Sequence, residues 1–345
     1  MKERRIGITL INRCMNIIAD LNLDVIHTQT EFSIGTLGRK AAKDLNIPLI
    51  HTYHTIYEQY THYLKAPNNH NGYVKSVIRK LSKNICNKAE AVVVPTEKVA
   101  SLLKSYGVTK EIIIQPTGIN LNKFENFDDK AITELKEKYD SLPSDKVLIF
   151  IGRVSQEKNI DEIVTLLAEE RKKHSDLKLF IIGDGPAKKH IEELVDELAL
   201  NDIVIFTGSV EWDKIQDYYR LGDIFVCAST SETQGLTYLE AMAARRAVLV
   251  REDECLKDFL IDGENGYTFN DKKEFSNKLT IMFSDPQKLD KLKENAYQTA
   301  CKNDLIHFTA NIAEVYARSI RKHDEIQICN EVNELITKSF KLKIH

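Results

Sequence analysis

The chain has 345 residues, 43% of them hydrophobic and 29% charged, with a formal net charge of −3. A length of this order divides into two domains with sizeable cores, the near-balanced charge carries no nucleic-acid footprint, and no apolar run reaches the ~18 residues of a membrane span. The six cysteines, Cys14, Cys86, Cys227, Cys255, Cys301 and Cys329, form no C-x-x-C pair and read as reduced thiols of a cytosolic protein rather than a disulfide scaffold. The opening MKERRIGITLINRC is charged, but its apolar run is too short for a secretory signal.

In chain order, Arg5–Leu10 reads as a short strand or helix start, Arg13–Leu21 as a helix and Asp24–Thr28 as a strand. Ser33–Leu45 carries Ile34, Leu37, Ala41, Ala42 and Leu45 at helical spacing, and Pro48–His51 is again a strand. Val74–Lys88 predicts a basic amphipathic helix, Ala91–Pro95 a strand, Glu97–Tyr106 a helix and Ile112–Gln115 a strand. Asn120–Ser144 is polar and lacks a strand, so the domain boundary is expected within Gly118–Asn126. A second set of strands follows at Val147–Ile151, Lys178–Ile182, Ile203–Thr207, Asp223–Ala228, Ala247–Val250 and Tyr267–Phe269, with helices between them. Phe275–Ile281, Pro286–Lys302, Ile306–Arg321 and Glu325–Phe340 read as four further helices. Strands alternating with helices predict parallel sheets with helix-covered faces. The expected division is a first domain over 1–120, a second over 121–310, and helices over 311–345 that cross back to the first.

The stretch Ser229–Val250 (STSETQGLTYLEAMAARRAVLV) reads as a loop and helix after a buried strand, with Glu232 in the loop and Glu240 in the helix. Ligands of open α/β sheets bind at that sheet edge, and a helix N-terminus favours anions. Arg153 and Lys158 follow the strand VLIFI and suit a diphosphate; the alternative is an exposed, salt-bridged loop. Gly183-Asp184-Gly185-Pro186 and Gly208-Ser209 are tight turns after strands, either ordinary βα turns or places where a ligand approaches the backbone. Neither G-x-G-x-x-G nor G-x-x-x-x-G-K-[ST] occurs, and no Asp-x-Asp pair follows a strand, so no metal is expected. With a diphosphate present, Glu232 and Glu240 are suited to sugar hydroxyls; otherwise one is a solvated loop acid and the other a helix-dipole carboxylate. His51 and His54 follow the strand PLI without a matching set of Cys or acid ligands, and either satisfy a strand end or offer a histidine to a substrate. On the basic helix, Lys75, Arg79, Lys80 and Lys83 oppose Val74, Val77, Ile78, Leu81 and Ile85, the pattern of an interfacial helix or of any helix packed on a sheet.

Glu232-TQGLTYL-Glu240 together with Gly152-Arg153 and Glu157-Lys158-Asn159 resembles the retaining nucleotide-sugar glycosyltransferases of family 4. That resemblance implies the GT-B fold of two facing Rossmann-like domains. It assigns Arg153 and Lys158 to the donor diphosphate, and Gly183, Asp184 and Gly208 to the donor pocket. The amides near Gly235, Leu236 and Thr237 meet the phosphates, Glu232 the donor sugar, Glu240 the ribose, and His54 the sugar near the reacting bond, without a metal or other cofactor. The segments IHTQTEFSIGTLGRKAA, HTYHTIYEQYTHYL and PTGINLNKF look like those of diacylglycerol glucosyltransferases. This implies UDP-glucose as donor, a membrane glycerolipid as acceptor, and a cytoplasmic enzyme held at the inner, anionic membrane face through the basic helix. The family usually has further βα units ahead of the segment at Asp24, so the first domain is expected to be incomplete, its sheet edge taking a partner chain. The rival readings are a non-catalytic donor-binding subunit and a transferase to a soluble sugar or protein. Arg245 and Ala247 stand where the family has Gly and Pro.

Overall fold

The structure, a computed structural model, describes residues 11–59 and 71–342. The expected element at Arg5–Leu10 lies outside these residues. Two compact units divide the chain, Met1–Pro116 with Phe308–His345, and Thr117–His307. The division between Pro116 and Thr117 falls a few residues ahead of the expected 120/121 boundary.

In the first unit the described elements are α1 (Ile11–Asp20), β1 (Ile26–Thr28), α2 (Ile34–Asp44), β2 (Leu49–Thr52), α3 (Asn71–Cys86), β3 (Ala91–Val94), α4 (Glu97–Ser105) and β4 (Glu111–Ile114). The four strands form a parallel sheet in the order β1-β2-β3-β4. Side chains alternate between its faces. Leu49, Val92 and Val94 join Ala41, Ala42, Val99 and Leu103 on one side. Ile50 and Val93 meet Ile312 and Val315 on the other.

Ile312 and Val315 belong to the last helix, which runs unbroken from Leu305 to Leu342. Two helices were expected here, with a break near residues 322–324. Lys322, His323 and Asp324 include neither Gly nor Pro, so nothing in the backbone stops the helix. His323 also bonds across the supposed break, to Glu90 through Nδ1 at 2.6 Å and to the Asn46 carbonyl through Nε2 at 3.1 Å.

The second unit holds α5 (Leu121–Glu125), α6 (Asp129–Lys138), β5 (Lys146–Ile151), α7 (Ile160–Glu170), β6 (Leu177–Ile182), α8 (Lys188–Glu197) and β7 (Val204–Gly208). It continues with α9 (Ile215–Leu221), β8 (Ile224–Cys227), α10 (Leu236–Ala243), β9 (Ala247–Arg251), β10 (Tyr267–Phe269), α11 (Lys272–Ser284) and α12 (Pro286–Cys301), and the helix from Leu305 is α13. The sheet is parallel with order β10-β9-β8-β5-β6-β7. The chain therefore builds outward from β5 to β7, then returns to the other side of β5 and builds through β8 to β10. Between β5 and β8 the strand order reverses, which in open α/β sheets is where a crevice opens at the carboxyl ends. Strands buried on both faces read as continuous apolar runs; Leu148, Ile149, Phe180, Ile181, Phe225 and Val226 are all fully buried.

Arg245 closes α10 in the left-handed region, with φ 57°. A Cβ there costs on the order of 1–2 kcal/mol. Against this, the guanidinium lies 3.7 Å from the centroid of the Tyr297 ring and bridges to Glu294. Ala247, at the start of β9, is fully buried. We expect Arg245→Ala to lower stability by about 1 kcal/mol, because it keeps the strain and loses the stacking. Arg245→Gly should stay within about 0.5 kcal/mol of the wild type, because it loses both. Urea melts that put the two variants at equal stability would contradict this balance.

Candidate active site

The crevice between β5 and β8 is lined by the loops that leave their carboxyl ends. After β5 the chain passes Gly152 and Arg153, makes a short 3-10 turn over Gln156–Lys158, and enters α7 through Asn159. Asn159 is in left-handed backbone, φ 48°, and its Nδ2 donates to the Ala228 carbonyl at 3.0 Å. From the β8 side, the Ser229 and Ser231 hydroxyls each donate to the Glu157 carbonyl at 3.3 Å. The two loops are thus stitched together on either side of the charged pair they present.

That pair is Lys158 and Glu232, with Nζ 2.5 Å from Oε1 and both side chains mostly buried. The sequence reading gave one to an anion and the other to a sugar; the fold puts them in direct contact. Arg153 is exposed at the mouth of the same loop.

Glycines let three strand ends lie side by side. The Gly152 amide donates to the Ile182 carbonyl at 3.0 Å, and the Gly183 amide to the Gly208 carbonyl at 2.9 Å. Gly183 has φ 140°, and a Cβ there would fall 1.9 Å from the Gly152 carbonyl oxygen, so only glycine fits. Asp184 is exposed beside it, and its backbone carbonyl accepts from the Val154 amide at 3.0 Å.

Gly235 precedes α10 with φ 77°, and a Cβ there would strike the Tyr238 ring at 2.5 Å. The helix has no side-chain cap. Leu236 and Thr237 form its first turn, where amides and dipole present positive charge. One turn on, Glu240 accepts from the Tyr219 hydroxyl at 2.7 Å. Burial pushes its carboxyl up to about 7, against the Tyr219 hydroxyl and Lys123, which both favour ionisation.

Three side chains hold these groups through bonds that no local spacing signals, although Asn159 and Gln234 lie within the stretches the resemblance rests on. Tyr219, fully buried, orients Glu240 from α9. Asn159 ties the β5 loop to β8. Gln234, 4% exposed, grips the backbone of Thr117 at both groups: its Nε2 donates to the carbonyl at 3.0 Å and its Oε1 accepts from the amide at 2.9 Å. Each makes its bond across 21 residues or more of sequence, beyond the reach of spacing arguments.

His54 belongs to the first unit. It is exposed in the loop after β2, with Nδ1 3.3 Å from Thr55 Oγ1. The loop is fastened on both sides of it. The Tyr53 hydroxyl meets Ser82 Oγ at 3.0 Å, and the Tyr57 hydroxyl donates to Glu31. His51 is a fully buried core residue, with Nδ1 2.9 Å from Thr28 Oγ1 and Nε2 3.6 Å from Glu31. Burial, and secondarily His51, push His27 down to about 4, so it is neutral at neutral pH. On α3, Lys75, Lys80 and Lys83 are exposed, whereas Arg79 holds Glu58 with two hydrogen bonds, 2.5 and 3.1 Å. Among the described residues no cluster of three or more His, Cys, Asp or Glu is arranged to hold a metal.

The carboxyl of Glu240 makes a stability prediction. Its folded value of about 7 lies above the ordinary 4.5. Between these values the unfolded chain ionises while the folded one keeps its proton, so stability falls as pH rises through the window. Below it the group has no effect. Above it the penalty is constant, on the order of 2 kcal/mol. Glu240→Gln should therefore match the wild type at pH 4.5 and exceed it at pH 8. Equal pH dependence of the two melting temperatures would rule this out.

Comparison with known proteins places this geometry. Residues 131–299 match the family described as Glycosyl transferases group 1, and residues 1–123 match Glycosyltransferase Family 4. An alpha-monoglucosyldiacylglycerol synthase of Streptococcus pneumoniae is 34% identical over 325 residues, 92% of this chain and 72% of that protein. One from Acholeplasma laidlawii is 34% identical over 297 residues, 84% of this chain and 74% of that protein. A crystal structure of Anabaena Alr3699/HepE in complex with UDP superimposes with TM-score 0.75 at 19% identity, covering 90% of this chain and 82% of that one. With two parallel α/β sheets, the crevice at the strand reversal and these relatives, the chain belongs to the family 4 glycosyltransferases of GT-B fold.

Proposed function

We propose that this enzyme transfers glucose from UDP-glucose to diacylglycerol at an anionic membrane surface, with retention at the anomeric carbon. The observation that carries this reading is the 34% identity to two alpha-monoglucosyldiacylglycerol synthases over most of the chain. The crevice supports it chemically. Arg153, Lys158 and the first turn of α10 offer positive charge to a diphosphate where its leaving charge develops. An incoming diphosphate competes with Glu232 for Lys158, and Glu232, released from the pair, turns to the hexose hydroxyls. Glu240 accepts from the ribose hydroxyls as a carboxylate. His54 serves the sugar near the reacting bond, and the glycerol hydroxyl attacks on the face UDP leaves. With these cations the reaction needs no metal. No described helix is long and apolar enough to cross a membrane; the exposed Lys75, Lys80 and Lys83 of α3, with the exposed apolar Tyr73, Val77 and Leu81, suit attachment to its surface.

The test is incubation with radiolabelled UDP-glucose and diacylglycerol in anionic vesicles, with EDTA present. Labelled glucolipid is expected; donor binding without any lipid product would overturn the acceptor assignment. By calorimetry, Arg153→Ala with Lys158→Ala should weaken UDP-glucose binding on the order of a hundredfold or more. Binding should strengthen from pH 6 to pH 8 as Glu240 ionises, and Glu240→Gln should flatten that profile. Retained affinity in the double variant would move the diphosphate elsewhere. In flotation, replacing Lys75, Lys80 and Lys83 with Gln should release the chain from anionic vesicles, since each lysine near such a surface contributes about 1 kcal/mol; undiminished flotation would exclude α3 as the contact.

A further inference from the structure

The second unit carries a hollow of about 450 Å³ outside the crevice, bordered by α5, α9 and the turn between β7 and α9. At its edge stands Trp212, the single tryptophan of the chain, 58% exposed. Lys123 Nζ lies 4.1 Å from the centroid of its ring and 3.8 Å from Asp213. The rest of the lining is amide and carboxylate. Gln216 donates through Nε2 to the Asp213 carbonyl at 2.9 Å, while its Oε1 is buried without a hydrogen-bond partner. Asn126 donates to the Asn122 carbonyl at 2.8 Å, and the Asp213 side chain is almost wholly exposed.

A large aromatic surface left in water, amid acceptors that want donors, is matched by a ligand with one apolar face and a rim of hydroxyls. An anion is a poor match, because the single cation already faces Trp212 and Asp213. A purely apolar ligand is a poor match, because it would bury the amides unpaired. We propose that this hollow is a second saccharide site, which takes a hexopyranosyl group through the indole of Trp212 and through hydroxyl hydrogen bonds to Gln216, Asn126 and Asp213. Binding there requires no transfer reaction, so the inference stands apart from the proposed activity.

Trp212, as the only tryptophan, is its own reporter. The full chain, saturated with UDP to occupy the crevice, is titrated with methyl α-D-glucopyranoside while its emission is followed. A saturable shift is expected, weakened roughly tenfold in Gln216→Ala and in Asn126→Ala and the same when UDP is left out. A parallel arm uses phosphatidylcholine vesicles with and without glucosyldiacylglycerol. A response to the glucolipid as well as the soluble glucoside identifies a lipid headgroup as the source, and a response to the soluble glucoside alone identifies a free glycan. No saturable shift in either arm, or a shift that Gln216→Ala and Asn126→Ala both leave unchanged, overturns the proposal.

Discussion

Lys158 and Glu232 come within 2.5 Å because the sheet of the second unit grows in two directions from its middle. Connections leave β5 and β8 toward opposite edges, so no βα loop spans the gap between these neighbours. Two partly buried charges of opposite sign then face each other where the backbone parts. Pairing them answers the desolvation that each would suffer alone. The surrounding bonds make the arrangement rigid. Asn159 reaches Ala228 from one side, Ser229 and Ser231 reach Glu157 from the other, and the glycines at 152, 183 and 208 close the floor. A crevice built this way is held by the hydrogen bonds between its loops as well as by its charged pair.

Glu240 shows the cost of such a site. The Glu240 carboxyl is placed where burial disfavours ionisation, and the Tyr219 hydroxyl and the charge of Lys123 oppose that burial. The fold would be more stable with a neutral amide at this position. That it carries an acid fits the general rule that local rules fail first at functional positions. Arg245 makes the opposite point. It too breaks a local rule, but Tyr297 and Glu294 compensate for it within a few ångströms, so it is a structural solution rather than a sign of function.

The strands and the acid-cation pattern were legible in the sequence because both depend on short spacings. DIFVCA and VLIFI announce buried strands through apolar runs, and Glu232 and Glu240 sit on one loop-helix segment. The contact of Lys158 with Glu232 was not legible, since it follows from strand order and spans 74 residues. The hold of Gln234 on Thr117, 117 residues away, was hidden for the same reason. The unbroken α13 was missed for a different one: the apolar pattern lapses near residue 323, and there the helix continues on hydrogen bonds to Glu90 and Asn46 in place of buried apolar side chains.

The first unit treats His54 as the second treats Lys158. The imidazole is exposed, yet the residues flanking it are not at liberty. Tyr53 is fully buried and tied to Ser82, and Tyr57 is tied to Glu31. Against the opposing effect of burial, the facing His51 and the Tyr57 hydroxyl hold the Glu31 carboxyl below its ordinary range, so the anchor under the loop is an ionised acid at neutral pH. Glu58 extends the fastening to Arg79 on α3. A side chain displayed from a loop pinned at three points has little backbone entropy left to lose. Each unit thus fixes its loops by internal bonds, the second around a charged crevice and the first around an exposed histidine.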